Sequence, residues 1–187
     1  RADLAHGLGA ALRASKLGSL AQLYADARAH GPAWETLVAH LTIGETYFFR
    51  NQAQFDALRE QIVPELIARR SSIRTLRIWS AGCATGEEPY SIAMMLSELL
   101  PDPAQWQVHI LATDINPQFL ARAREGLYGN WSFRDTESRL RDIYLTPEGN
   151  RWRLSPSIRQ MVNFSRLNLV EPCYPAIING TYGQDII

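Results

Sequence analysis

Residues 76–95 place a short apolar run, a glycine-containing turn and a helical repeat in direct succession. The apolar residues of 76–79 predict a strand, and the apolar period over 90–100 predicts a helix. Gly82 and Gly86 lie in the turn between the two elements. Such a turn lets a ligand approach bare backbone, whose N–H groups are free to donate hydrogen bonds. The stretch therefore predicts a strand–turn–helix ligand site.

The start of the predicted helix is acidic. Thr85 and Glu88 stand in the register of a capping box, and Pro89 suits an early helical position because its missing N–H is no loss there. Glu87 and Glu88 have no Lys or Arg beside them, so a pyrophosphate would be repelled, and the P-loop lysine is absent. Adjacent carboxylates suit a ligand with hydroxyls or a cationic group. S-adenosylmethionine has both, and it carries no phosphate.

Composition excludes several classes of protein. The 187 residues carry 19 basic and 19 acidic side chains, so a whole-surface nucleic-acid footprint is not expected. Cys83 and Cys173 lie far apart, no metal-ligand spacing occurs, and both cysteines are predicted to be small buried residues. No apolar run approaches the roughly 20 residues of a membrane helix, and we expect a cytoplasmic location.

Strands alternate with helices along most of the chain, which predicts an α/β fold with a doubly wound sheet. Helices are predicted over residues 4–29 with a break at Gly18–Ser19, over 34–41, and over 54–70 with a bend at Pro64. Downstream the pattern predicts a strand over 107–112, a helix over 117–125, a loop over 126–134, a helix over 137–144, a hairpin over 144–154 and a strand over 157–164. A helical domain with its linker (1–70) is expected to precede the sheet domain (71–187), which has a β insert near 144–160.

Asp114 and the pair Trp131 and Phe133, which lie outside the turn, have two interpretations each. Asp114 follows the second predicted strand, where an acid commonly accepts hydrogen bonds from ribose hydroxyls; the alternative is a helix N-cap, for which Asn116 competes. The aromatic run before Arg50 is predicted to be a buried anchor between two subdomains. Trp131 and Phe133 either line a substrate opening or pack in the interior, and the pattern favours packing.

Four ordered blocks resemble one family: LTIGETYFFRNQAQF, RIWSAGCATGEEPYSIAM, ATDINPQFLARAREGLY and NFSRLNLVEPCYP. They are similar to the CheR-type chemotaxis receptor methyltransferases, which are protein-glutamate O-methyltransferases. The resemblance implies a small N-terminal helical domain and a Rossmann-like S-adenosylmethionine-dependent methyltransferase domain with a small antiparallel β insert. It also implies methyl transfer from S-adenosyl-L-methionine to glutamate side chains of a receptor's cytoplasmic domain, with S-adenosyl-L-homocysteine as the product.

The resemblance and the glycine turn together predict the site. Arg50 is the candidate catalytic residue, where it orients the substrate carboxylate or holds the methionine carboxylate of the cofactor. The predicted cofactor-binding residues are Thr46, Arg50, Gly82, Glu87, Asp114, Asn168 and Leu169. No metal, nucleic acid or membrane insertion is expected, and the protein is expected to be a monomer. Two alternatives remain: a methyltransferase acting on a small molecule, and a non-catalytic module that binds cofactor or receptor.

Two departures from the family pattern stand out. Gly44 occupies the place of a cofactor-binding asparagine, so that contact is expected to be absent or made by backbone. The family also continues with a Cys-Arg-Asn motif on a strand and a Tyr-Phe pair, which do not occur before Ile187. The chain is therefore expected to be a C-terminally truncated fragment that binds weakly, or is inactive, on its own.

Overall fold

A computed structural model of the chain describes residues 2–29 and 31–187. The first elements are three helices, α1 (Ala2–Ser15), α2 (Leu20–Arg28) and α3 (Pro32–Leu41). They share a small apolar core built on Ala11, Leu23 and Ala33. The carboxylate of Asp26 accepts a hydrogen bond of 2.7 Å from the backbone N–H of Ala33, which joins α2 to the start of α3. The predicted helical start and its break are confirmed.

The bend expected at Pro64 takes the form of a π-helical segment. The helix α4 (Gln52–Ala57) widens over Leu58–Ile62 and continues as α5 (Val63–Arg70). Pro64 lies in the first turn of α5. Its ring clashes with the carbonyl four residues earlier in a regular α-helix, and a wider turn relieves that clash.

The centre of the molecule is a parallel sheet with strand order β1–β2–β6. Its strands are β1 (Thr75–Ala81), β2 (Gln107–Asp114) and β6 (Val162–Arg166), and the crossovers contain α6 (Glu87–Leu99) and α7 (Pro117–Glu125). In register, Ser80 pairs with Ala112, and Ala112 pairs with Phe164. Ile186 forms a parallel bridge to Ile78 on the other side of β1. The predicted α/β class is confirmed.

A second sheet is antiparallel, with strand order β3–β5–β4. The helix α8 (Ser138–Tyr144) leads into the predicted hairpin of β4 (Leu145–Glu148) and β5 (Arg151–Leu154). The loop prediction over 126–134 is wrong in part, because β3 (Leu127–Gly129) pairs with β5. The strand prediction over 157–164 is also wrong in part, because α9 (Pro156–Arg159) precedes β6.

The aromatic run forms the predicted anchor. Phe48 is fully buried, stacks on Phe133 with ring centroids 4.8 Å apart, and meets the ring of Tyr128 at 4.9 Å. Phe49 is buried against Phe55. Burial of each such ring contributes roughly 2–3 kcal/mol to stability, so the linker is firmly attached to the sheet domain.

The packing prediction is confirmed for Phe133, whereas the ring of Trp131 is exposed. Cys83 is buried as predicted. Cys173 is exposed, so its predicted burial is wrong. No helix within residues 2–29 and 31–187 has the length and apolar character needed to cross a membrane.

Candidate cofactor site

The carboxyl ends of β1, β2 and β6 meet at one edge of the parallel sheet. The glycine turn follows β1, and Asp114 ends β2. The backbone N–H of Leu167, directly after β6, donates a hydrogen bond of 3.1 Å to the carbonyl of Asp114. Ligands of open α/β sheets bind outside this edge.

The glycine turn has open space beside it. The backbone N–H groups of Gly82 and Cys83 both donate to the carbonyl of Thr113, at 2.8 and 2.9 Å, so the prediction that the N–H groups of the turn are free is wrong at these two residues. Gly82 has φ of 84°, and a Cβ added there would meet no atom within 4 Å. Gly86 differs, because a Cβ there would lie 2.8 Å from that of Ala123. The first glycine therefore leaves room for a ligand, and the second allows α6 and α7 to pack closely.

Asp114 is held by two backbone groups. Its Oδ2 accepts 2.9 Å from Ala84 N–H, and its Oδ1 accepts 2.8 Å from Asn116 N–H. Asn116 caps α7 by accepting from Gln118 N–H at 2.8 Å, so the N-cap alternative for Asp114 is wrong. Because each carboxylate oxygen carries two lone pairs, both oxygens can still accept one more hydrogen bond.

The capping-box prediction at the start of α6 is wrong. Gly86 is the N-cap residue, in the left-handed conformation and without a side-chain capping bond. The hydroxyl of Thr85 donates instead to Glu87 Oε2 at 2.6 Å. Glu88 Oε1 accepts from the hydroxyl of Ser80 at 2.6 Å. The left-handed turn at Gly86 removes the register in which Thr85 reaches the helix backbone.

The two adjacent glutamates face different surroundings. Glu87 is 3% exposed, and its Oε1 accepts from Ser132 at 2.9 Å. Burial raises the pKa of Glu87, although the hydrogen bonds from Thr85 and Ser132 oppose that rise. Its carboxylate lines a cavity of about 370 Å³ between α6, α7 and β3.

Glu88 is exposed. The pKa of Cys83 is raised mainly by burial, and the charges of Asp114 and Glu88 raise it further. Glu88 and Asp114 therefore both act on the buried thiol of Cys83. The sequence analysis named both adjacent carboxylates but placed only Glu87 among the predicted cofactor-binding residues, although successive helical side chains point about 100° apart.

The linker between the helical unit and α4 runs over the same region. At one end, the Nδ2 of Asn116 donates 2.8 Å to the hydroxyl of Thr42. At the other end, the backbone N–H of Phe48 donates 2.9 Å to the carbonyl of Ser132. Thr46 is half-buried between these two attachments. A Cβ added at Gly44 would lie 2.5 Å from the tip of the Phe119 ring, so a side chain at this position requires that ring to move.

Arg50 lies between two residues in the left-handed region. Phe49 has φ of 57° and Asn51 has φ of 65°. Such conformations cost roughly 1–3 kcal/mol each and persist where the surroundings enforce them. The exposed Arg50 donates through Nη1 to the carbonyl of Glu45. Its predicted role in orienting a carboxylate stays a prediction.

Asn168 and Leu169 follow β6 closely. The Oδ1 of Asn168 accepts 3.2 Å from Val170 N–H, which forms a local turn. The carbonyl of Leu169 accepts from the hydroxyl of Tyr174, whose ring meets Trp79 edge-on at 5.5 Å. This segment is therefore packed beside the end of β1, and the side chain of Leu169 is exposed.

Known proteins are similar to this chain in sequence. The family described as "CheR methyltransferase, SAM binding domain" matches residues 44–178. This chain belongs to the CheR methyltransferase family. It is 38% identical over 143 residues to the chemotaxis protein methyltransferase of Borreliella burgdorferi, covering 74% of this chain and 50% of that protein. It is 36% identical over 138 residues to a probable chemotaxis protein methyltransferase of Rhizobium etli, covering 72% and 52%.

The similarity extends further in other relatives. The chemotaxis protein methyltransferase 1 of Pseudomonas aeruginosa is 34% identical over 160 residues, covering 83% of this chain and 57% of that protein. The CheR-family chain thus spans about half the length of the curated relatives it matches. The family binds S-adenosyl-L-methionine, which is therefore its cofactor.

The residues present fit this cofactor. The turn at Gly82 is open to an approaching ligand, free lone pairs on Asp114 suit ribose hydroxyls, and the acidic turn suits an ammonium group. Within residues 2–29 and 31–187, no group of three or more His, Cys, Asp or Glu side chains could hold a metal ion.

Proposed function

We propose that the protein containing this chain transfers methyl groups from S-adenosyl-L-methionine to glutamate side chains of chemotaxis receptors. The acceptor is the cytoplasmic domain of a methyl-accepting receptor, and the products are glutamyl methyl esters. One observation carries the proposal: the oriented carboxylate of Asp114 lies next to the open turn at Gly82. Membership of the CheR family and relatives named as chemotaxis methyltransferases support it.

In this proposal Asp114 accepts hydrogen bonds from the ribose hydroxyls of the cofactor. Glu88 provides the second acid that contacts the cofactor. The family resemblance assigns cofactor binding to its neighbour Glu87 instead. Thr46 and Arg50 reach the cofactor from the linker, and Asn168 with Leu169 borders the adenine. Glu87→Gln and Glu88→Gln distinguish the two glutamates by their effects on cofactor binding.

The chemistry requires alignment rather than proton transfer. When bound, the cofactor supplies a methyl group on a positively charged sulfur. A glutamate with an unperturbed pKa of about 4.3 is already an anion at neutral pH, so no general base is needed. The protein has to hold the acceptor oxygen in line with the methyl group and to exclude water. Arg50 contributes by orienting the acceptor carboxylate or by holding the methionine carboxylate of the cofactor.

The test combines binding with transfer. S-adenosyl-L-homocysteine is titrated calorimetrically into the protein, and base-labile methyl esters are counted on receptor glutamates after incubation with labelled cofactor. Binding together with ester formation supports the proposal. Binding without transfer to receptor or small molecules supports a non-catalytic module, and transfer to small molecules alone supports the other alternative. If titration with NAD gave a heat of binding and titration with S-adenosyl-L-homocysteine gave none, both methyltransferase hypotheses would be contradicted.

One variant separates the two roles of Arg50. If Arg50 holds the cofactor, Arg50→Gln weakens the binding of S-adenosyl-L-homocysteine. If it orients the acceptor, the same change raises KM for the receptor and leaves cofactor binding intact. Arg69→Gln is the matched control, since Arg69 is exposed on α5 and, within the described part of the chain, forms its ion pair with Glu65, one turn away.

A further inference from the structure

Arg134 is enclosed by two aromatic rings at the junction of the linker and the loop after β3. Its guanidinium carbon lies 3.7 Å from the ring centroid of Tyr47 and 4.5 Å from that of Trp131. Its Nη2 lies 3.6 Å from Oε1 of Glu45. We call Glu45, Tyr47, Trp131 and Arg134 the Arg134 cluster. A guanidinium stacked on its faces keeps its edge free for in-plane donation to a carboxylate.

The cluster is held in a fixed geometry. Phe48 N–H donates 2.9 Å to Ser132 carbonyl, and the hydroxyl of Thr136 donates 3.1 Å to Phe48 carbonyl. Arg134 itself donates 3.0 Å to the carbonyl of Trp131. Its side chain is only 19% exposed, whereas Trp131 is 72% exposed. The arginine is thus positioned beforehand, and a large aromatic ring beside it faces solvent.

The contact of Arg134 with Glu45 is a weak one. The distance of 3.6 Å exceeds that of a good charged hydrogen bond, and the Glu45 side chain is 65% exposed. Exposed pairs of this kind contribute little to stability. A carboxylate that approaches the guanidinium edge with better geometry would therefore displace Glu45.

Arg50 also contacts Glu45. It donates to the backbone carbonyl of Glu45, while Arg134 faces the Glu45 carboxylate. Two arginines therefore contact one exposed acid at the linker, next to the region proposed to hold cofactor and acceptor. An acidic helix that presents one carboxylate for reaction carries further carboxylates on the same face, three or four residues away. One of these carboxylates can bind the second arginine.

We propose that Arg134, between Tyr47 and Trp131, binds a second carboxylate of the acidic acceptor segment, and that Glu45 occupies this position when the acceptor is absent. The inference rests on the proposed function, because the acceptor is taken to be a glutamate-bearing helix. Arg134 acts as a positioning residue and does not touch the reacting atoms. Glu45 acts as an internal competitor, so its removal strengthens acceptor binding.

The probe is a synthetic helical peptide with glutamates at i and i+4, and its control replaces the second glutamate by glutamine. Binding is followed by titration calorimetry, and the dissociation constant is compared with KM for methyl transfer. We expect Arg134→Gln to raise the dissociation constant and KM about tenfold while S-adenosyl-L-homocysteine affinity stays constant. Glu45→Gln should lower both constants several-fold, and Arg69→Gln should change neither. The glutamine control peptide should bind weakly and respond to neither variant.

The outcomes separate the two proposals. Equal KM values for Arg134→Gln and Arg69→Gln would overturn the role of the Arg134 cluster, even if methyl transfer occurs. Weaker peptide binding by Glu45→Gln would overturn it as well. Absence of any transfer by the unaltered protein would overturn the proposed function, while peptide binding would still test the cluster. If Arg134→Gln unfolds, Glu45→Gln alone decides the question, since Glu45 is exposed.

Discussion

The carboxylate of Asp114 accepts a hydrogen bond of 2.9 Å from the backbone N–H of Ala84, and this bond joins the end of β2 to the turn after β1. A second bond from Asn116 N–H fixes the other oxygen of the same carboxylate. The acid is therefore oriented before any ligand arrives. Such preorganisation lowers the free energy cost of binding, because no side chain has to be ordered in the complex.

Replacement of Asp114 by asparagine tests this arrangement. An amide group must turn its NH2 toward one of the two backbone N–H groups, so one buried donor loses its partner. We expect the free energy of unfolding to fall by about 1–3 kcal/mol. Affinity for S-adenosyl-L-homocysteine should fall at least tenfold in calorimetry. Asp102→Asn, in an exposed turn, is the control, and equal affinities of the two variants would contradict the role of Asp114.

Gly82 and Gly149 form a second matched pair. Both have positive φ, and a Cβ added at either would meet no atom within 4 Å. Each change to alanine should cost about 1 kcal/mol of stability, because L side chains disfavour this conformation. Only Gly82→Ala should weaken cofactor binding, since its Cβ enters the space beside the turn and Gly149 lies in the β4–β5 hairpin. Equal loss of cofactor affinity in both variants would show that the loss comes from general destabilisation of the fold rather than from the space beside Gly82.

Glu87 and Glu88 should differ in cofactor binding. Glu88→Gln removes an exposed carboxylate on the Asp114 side and should lower affinity for S-adenosyl-L-homocysteine about tenfold, as for loss of a hydrogen bond to a charged group. Glu87→Gln should leave that affinity nearly unchanged, because the Glu87 carboxylate faces Ser132. The reverse result would favour the assignment of Glu87 that the family resemblance implies.

Glu87 should also make stability depend on pH. The pKa of an unfolded glutamate is about 4.3, and burial raises the folded-state pKa of Glu87. Between these two pKa values the folded protein binds more protons than the unfolded chain, so the free energy of unfolding falls as pH rises. Glu87→Gln cannot ionise. Its unfolding free energy minus that of the unaltered protein should therefore increase with pH across this window and then level off.

Urea unfolding of both proteins at a series of pH values measures that difference. A difference that stays constant from about pH 4 to about pH 8 would mean that the carboxylate is not destabilised by burial, since the two pKa values would then coincide.

Much of the sheet could be predicted because its signals are local. The apolar runs of β1 and β2 are visible in the sequence, and Asn116–Pro117 defines the start of α7. The strand β3 was missed because three residues carry almost no periodic signal, and its pairing with β5 is distant in sequence. The short helix α9 was missed for a similar reason, since four residues span little more than one turn.

The sequence predicts which residues form the site better than it predicts the directions of their side chains. Gly82 and Asp114 follow predicted strands, so their shared edge follows from the parallel order. The capping box failed because the backbone at Gly86 turns left-handed, which no spacing rule reports. The directions of Glu87 and Glu88 depend on Ser132 and Ser80, which lie on other elements. Side-chain direction at a helix start is decided by such tertiary contacts.

The central claim is that the cofactor binds at the carboxyl edge of the sheet, between the linker and the glycine turn. A crystal structure of the protein with S-adenosyl-L-homocysteine tests it most directly. We predict that the ribose hydroxyls lie within hydrogen-bond distance of Asp114 and that the ligand passes over Gly82. Ligand density elsewhere, with the space beside Gly82 unfilled and Asp114 bonded only to Ala84 and Asn116, would contradict the account.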